Sequence, residues 1–287
     1  IKLYDEKRLP NSMLLSGPKG LGKATFSYHI INYFLSEHEE RKYSVEDFII
    51  DETNSSYKLL NSNTHPNFFL IEANLLGKDI KIEQVRNLLK FLNKTTYGKN
   101  LKIVMIDNAE NLNLNSSNAL LKSLEEPPSN TYFFIINNIS SKILHTVKSR
   151  CVEYKFHFNA LEKKNIFKKI IKNYQLSYDE NNLDKFFFFD TPGNLLRYLF
   201  VLNDTNLDIS KNKLPCILYL MDKYKNKKDL ELLNFISLFI ENFYNELSLN
   251  DNYNLNNYFA DRYKILRLIS DMKKYNLDKK NLLISVD

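Results

Sequence analysis

Tryptophan is absent from the 287 residues, and only two cysteines, six glycines and seven prolines occur. Two thiols, Cys151 and Cys216, cannot build a disulfide framework, which excludes the small stapled secreted domains and suits a reducing compartment. No apolar run reaches the length a bilayer span needs, so no membrane partner is expected. Residues 1–10 are mostly polar and lack a basic-then-apolar leader, and the expected location is the cytoplasm. No repeat period and no long low-complexity tract occur, which excludes solenoids and fibres. The abundance of Lys and Asn reads as base composition rather than activity.

What is present is the make-up of an ordinary globular chain, 44% hydrophobic and 26% charged. A net charge of +6 tolerates an acidic partner without demanding one. The length allows two domains of about 150 residues, or one such domain with helical appendages.

Short apolar runs at 13–16, 68–72, 101–106 and 131–136 read as buried strands, with 152–156 a weaker fifth. Helix-like sequence separates them at 22–35, 81–92 and 116–126. Alternation of this kind predicts a parallel sheet covered on both faces, with ligands beyond the carboxyl ends of its strands. Residues 36–64 are polar and irregular and read as an insertion. After residue 156 amphipathic helices are predicted at 161–174, 182–189 and 194–202, and a further helical block begins near residue 208. Its apolar stripe of Leu232, Phe235, Ile236, Phe239, Ile240 and Phe243 requires a partner helix, in this chain or another.

Gly17-Pro18-Lys19-Gly20-Leu21-Gly22-Lys23-Ala24 has the spacing of a phosphate-binding loop. Its glycines let backbone N–H groups turn towards phosphates, Lys23 reaches the β and γ oxygens, and the following helix offers its N-terminus to the anion. The hydroxyl that would hold magnesium is missing, because Ala24 stands in its place. Thr25 is no substitute, since one residue further along a helix turns the side chain by about 100°. The second half of such a site is an apolar strand ending in a metal-holding aspartate, and Asp107 after 101–106 fits. The next residue is Asn108, an amide that cannot act as a base for water; Glu110 comes two positions later. The loop is thus read as a degenerate nucleotide site.

The stretch Asn118-Ala119-Leu120-Leu121-Lys122-Ser123-Leu124-Glu125-Glu126-Pro127-Pro128, with Ser149-Arg150-Cys151, resembles the clamp-loader ATPases of the AAA+ class. His65-Pro66-Asn67, Ile82-Glu83-Gln84-Val85-Arg86 and Ile106-Asp107-Asn108-Ala109-Glu110 are similar to the bacterial delta-prime subunits among them. The resemblance covers about residues 8–200. It implies an α/β AAA+ P-loop domain over 1–157, a small helical lid over 158–207 and an α-helical collar domain over 208–287. It further implies a non-motor member of a hetero-pentamer with gamma/tau and delta subunits, which loads the sliding clamp on primed DNA. Arg150 would then be an arginine finger acting in trans, since a guanidinium meets phosphate oxygens with two parallel donors. Otherwise an Arg near a strand start is a structural partner of a carboxylate. The alternative function is an ATP-hydrolysing gamma/tau-like motor subunit.

Departures from the family pattern shape the other expectations. Residues 36–64 contain no cysteine where many delta-prime proteins carry a four-cysteine zinc module, so no zinc or other metal is expected, and His65 reads as a turn residue. ATP or ADP binding is expected to be weak or absent, with no intrinsic ATPase. In Gly193-Asn194-Leu195-Leu196-Arg197 a leucine stands where active loaders have their sensing arginine, and Arg197 falls one step late. Asn137 or Asn138 takes the position of the γ-phosphate sensor. Lys163, Lys164, Lys168, Lys169 and Lys172 mark a basic helix face that is either solvated or near DNA, and Phe186–Phe189 read as lid core.

Overall fold

The computed structural model describes residues 1–73, 79–94, 101–138, 143–174, 190–203, 213–227, 230–247 and 255–275. The chain divides into two compact units, Ile1–Asn173 with Phe187–Asn194, and Tyr174–Phe186 with Leu195–Asp287.

Five parallel strands form the first unit: β1 (Ser12–Ser16), β2 (Phe68–Ile71), β3 (Lys102–Ile106), β4 (Thr131–Asn137) and β5 (Val152–Lys155). Their order is β2-β3-β4-β1-β5, so β1, which leads into the loop, lies inside the sheet. Residues alternate between two cores, as the pleat requires. Leu14, Val104, Ile106, Phe133 and Ile135 enter one cluster, while Met13, Leu15, Ile103, Met105, Phe134 and Ile136 enter the other. The helices α2 (Lys23–Ser36), α4 (Ile82–Leu92) and α5 (Leu114–Glu125) cover these faces. Ile31, Phe34 and Leu35 of α2 lie in one cluster, and Val85, Leu88, Leu120 and Leu124 of α4 and α5 in the other. Four strands were legible because their runs are mostly buried and almost wholly apolar. The fifth was weaker because β5, Val152-Glu153-Tyr154-Lys155, mixes polar and apolar residues and is exposed at Val152, whereas the other edge strand, β2, is Phe68-Phe69-Leu70-Ile71.

Lys102 breaks the apolar run of β3, and its burial has a local cause. Its ammonium donates to Leu92 O at 2.6 Å and also to Lys94 O, so a cation meets the unsatisfied carbonyls at the end of α4.

The polar stretch 36–64 is more ordered than its sequence suggests. A seven-residue helix, α3 (Ser55–Asn61), lies within it, too short to show a hydrophobic period. Asn54 caps α3 and pairs with buried Asn32 of α2 through both amides, at 3.3 and 3.4 Å. The Glu39 carboxylate accepts from the Ser55 and Ser56 amides at 2.8 and 3.0 Å and from Ser56 Oγ at 2.5 Å. Hydrogen bonds therefore tie this segment to α2. At its end His65 Nδ1 accepts from Asn67 N at 3.1 Å, as a turn residue does.

A short helix α1 (Lys2–Asp5) precedes β1, another, α6 (His145–Lys148), precedes β5, and α7 (Ala160–Tyr174) follows it. Helix α8 spans Pro192–Asn203. In the second unit α9 (Lys213–Lys227), α10 (Leu230–Leu247) and α11 (Leu255–Tyr275) pack in sequence, with α10 against both neighbours. The stripe on α10 thus finds its partners inside the chain: Leu232, Phe235, Ile236, Phe239 and Ile240 are buried, as are Ile217, Leu220, Ile265 and Ile269. The expected helix at 182–189, with Phe186–Phe189, lies outside the described residues. Among the described residues no helix is long and apolar enough to cross a membrane.

Replacing Glu39 with Ala should leave the sheet intact and free the first turn of α3. We expect amide exchange at Ser55 and Ser56 to accelerate about five-fold, the size of a lost cap; unchanged exchange would show that Glu39 does not hold the segment.

Candidate functional site

The loop after β1 begins where Gly17 N donates to Asn137 O at 3.2 Å, and it ends at Gly22, which starts α2 with a left-handed φ of 82°. Glycine is required at Gly17 because a Cβ there would lie 2.5 Å from the Phe156 carbonyl oxygen. Inside the loop Lys23 is buried, and its ammonium donates to Gly17 O at 2.7 Å and Pro18 O at 2.8 Å. Burial lowers its pKa to about 8, against the opposing pull of the Glu110 and Asp107 carboxylates.

Asp107 lies at the tip of β3, its amide bonded to Ile71 O at 2.8 Å and its Oδ1 accepting from Asn108 N at 2.8 Å. Burial raises its pKa, with a smaller push from Glu110. The structure thus brings Lys19, Lys23, Asp107 and Glu110 within electrostatic reach of one another. The two departures in the motif are also placed. The Ala24 methyl packs against the apolar cluster of α2, β1 and β4. Asn108, with a φ of 56°, accepts from Asn138 Nδ2 at 2.9 Å, and Asn138 N donates to Glu110 at 3.1 Å. Thr25 is exposed and lines an apolar groove of 700 Å³ with Phe26, Ile166 and Ile170.

The two asparagines after β4 differ. Asn138 is committed to Asn108, whereas Asn137 is fully buried, and its side-chain amide has no hydrogen-bond partner among the described residues.

A contact not foreseen from the sequence closes over the loop. Thr191 Oγ1 donates to Lys19 O at 2.7 Å, and Gly193 N donates to Gly20 O at 2.9 Å. Gly20 has a φ of +85°, and a Cβ on it would stand 2.2 Å from Thr191 Oγ1. The N-terminal turn of α8 therefore rests directly on the loop backbone. The paired glycines Gly20 and Gly193 were the available signal, since a close approach of two backbones needs both.

Arg150 follows α6, two residues before β5. Its Nη2 lies 2.5 Å from Glu125 Oε1, the last residue of α5, and its Nη1 donates to Thr146 O at 2.9 Å. The side chain retains 26% of its exposure. The five lysines of α7 do not form one open face: Lys169 and Lys172 are exposed, while Lys163, Lys164 and Lys168 are half-buried. Among the described residues no group of three or more His, Cys, Asp or Glu is placed to hold a metal ion.

A glycine-bounded loop leading from an inner parallel strand into a helix, with an aspartate at the tip of a nearby strand, defines an α/β domain of the P-loop type. The model of the family described as DNA polymerase III, delta subunit, matches residues 1–160, and the chain belongs to that family. A DNA polymerase III subunit delta' of Pseudomonas aeruginosa is 35% identical over 143 residues, 50% of this chain and 42% of that protein. The Escherichia coli protein of the same name is 26% identical over 148 residues, 52% and 42% of the two chains. A DNA polymerase III subunit gamma of Buchnera aphidicola is 29% identical over 179 residues, 61% and 46% of the two chains. The matched stretch is less than half the length of each of these relatives. Among solved structures, a DNA polymerase III gamma subunit-related protein of Thermotoga maritima aligns with a TM-score of 0.49 at 17% identity, over 99% of this chain and 95% of that one.

Two outcomes test the loop. Gly20→Ala should destabilise the first unit by about 1–2 kcal/mol from backbone strain alone, seen in urea unfolding; a neutral change would mean that residue 20 is not held at its positive φ. For Lys23 the sign is set by its lowered pKa. Between about pH 8 and 10.5 the unfolded chain keeps a proton that the native chain has released, so stability rises with pH in that window. Urea midpoints at about pH 7.5 and about pH 9.5 should show this gain for the unaltered chain relative to Lys23→Met; equal pH dependence would contradict it.

Proposed function

We propose that the chain acts as the delta-prime-type, non-motor member of a bacterial clamp loader, a hetero-pentamer with gamma/tau- and delta-type subunits that places the sliding clamp on primed DNA. Its own pocket does not hydrolyse ATP, and Arg150 acts in trans at the nucleotide held by a neighbouring subunit. Family membership supports the first part. The observation that carries the second is the fate of the two positions hydrolysis needs: residue 24 gives a methyl to the core, and residue 108 gives an amide already bonded to Asn138. Neither a magnesium-holding hydroxyl nor an adjoining base is offered, although Lys23 and Asp107 are in place. The residues fit a phosphate cradle and do not fit a hydrolytic metal site.

The partly exposed side chain of Arg150 supports the finger role, because such a group must be reachable from outside its own subunit. In a reconstituted loader Arg150→Ala should lower ATP turnover at the receiving site on the order of 10³-fold or more, with the ring still assembled. An unchanged rate would remove the finger.

The relation to a gamma subunit, with Lys23 and Asp107 retained, favours a second reading as an ATP-hydrolysing motor. The purified chain separates the two: no magnesium-dependent turnover on the reading preferred here, steady turnover on the other.

A further inference from the structure

Helix α5 ends at Glu125 because Glu126, at φ −123° and ψ 71°, has left the helical conformation and Pro127 and Pro128 cannot continue a helix. A carboxylate at that place faces the helix's unsatisfied carbonyls, an unfavourable position unless a cation is near. The cation is Arg150. Its backbone is fixed independently of the ion pair: Arg150 N donates to Val147 O at 3.2 Å, and Val147 is buried in the cluster that holds Leu120 and Leu124 of α5. Packing therefore sets where the Arg150 Cα and the end of α5 lie, and only the direction of a long side chain is left to be decided.

The donor count shows what the pair leaves over. A guanidinium has five N–H groups. Thr146 O takes one from Nη1, Glu125 takes one from Nη2, and Nε is buried without a partner among the described residues. One N–H on each terminal nitrogen stays uncommitted, save for Ser149 Oγ at a marginal 3.5 Å from Nη1. Two such donors suit two oxygens of a phosphoryl group. An ion pair whose carboxylate is 51% exposed adds little to stability, so its consequence lies in orientation.

The geometry points to Glu125 as a positioning residue that holds the Arg150 side chain ready for the phosphates of a neighbouring subunit. This rests on the finger role proposed above and adds a residue that does not itself touch the nucleotide. Glu125 stays bonded while the finger acts, and the rotamer freedom of the arginine is surrendered before the subunits meet, not at the moment of reaction.

The test uses the assembled loader with Glu125→Ala, Glu125→Gln, Arg150→Ala and the Glu125→Ala/Arg150→Ala pair, measuring ring assembly and the kcat and KM for ATP. Glu125→Ala should lower kcat at the receiving site about 10- to 100-fold with KM little changed. Glu125→Gln, which keeps the shape and an acceptor oxygen, should fall less. In the Arg150→Ala background Glu125→Ala should add nothing, a result that a merely structural role would not give. An unchanged or raised kcat, an additive loss in the double variant, or a Glu125→Gln chain that cannot join the ring overturns the inference. If Arg150→Ala is harmless, the finger and the positioning role fall together; if it is damaging while Glu125→Ala is not, only the positioning role falls.

Discussion

The parallel pairing of β1 with β4, and of β4 with β3, is the constraint on which the site depends. Because the strands run the same way, their carboxyl ends share one edge of the sheet. The loop leaves that edge after β1, Asp107 after β3, and Asn137 and Asn138 end or follow β4. No side chain has to reach across the sheet, and residues more than a hundred positions apart in sequence meet through backbone register. The apolar layers on both faces keep that register, since a slip by one residue would exchange the two cores.

Within that frame burial shapes the electrostatics of the loop. Lys23 is buried deeply enough for its pKa to fall to about 8, and its charge is met by carbonyls of its own loop. Asp107 is pushed the other way by the same burial. At the neighbouring position an amide bonded to a second amide has replaced a group able to take a proton. The cation with greater access to the outside is Arg150, at the far end of α5, held by Glu125 and by the carbonyl of Thr146. On the proposed reading the chemistry has moved from the chain's own loop to the edge that meets a neighbour.

Much of this was legible in the residues, and the exceptions have physical reasons. Continuous apolar runs marked β1 to β4 within one residue at either end, because the central strands β1, β3 and β4 are buried on both faces and the edge strand β2 is apolar throughout. Glycine spacing marked the loop, and an apolar run ending in acid marked Asp107. The helix α3 was missed because seven residues held by Asn54 and Glu39 carry no period to detect. The contact of Thr191 and Gly193 with the loop joins residues some 170 positions apart, and only the two glycines hinted at it. The Arg150 to Glu125 pair is the kind of contact that the alternative to a finger role describes, a structural arginine with a carboxylate near a strand start; its partner could not be named, since side-chain direction depends on how α5 and α6 pack.

The central claim, that this chain lends a cation to a neighbour's triphosphate while its own pocket stays idle, is tested most directly by a structure of the assembled ring with a non-hydrolysable ATP analogue. The Arg150 guanidinium is expected within about 3 Å of phosphate oxygens on the adjacent subunit. Arg150 turned away from any nucleotide, with a magnesium-bound triphosphate seated against Lys23 and Asp107 instead, would contradict it.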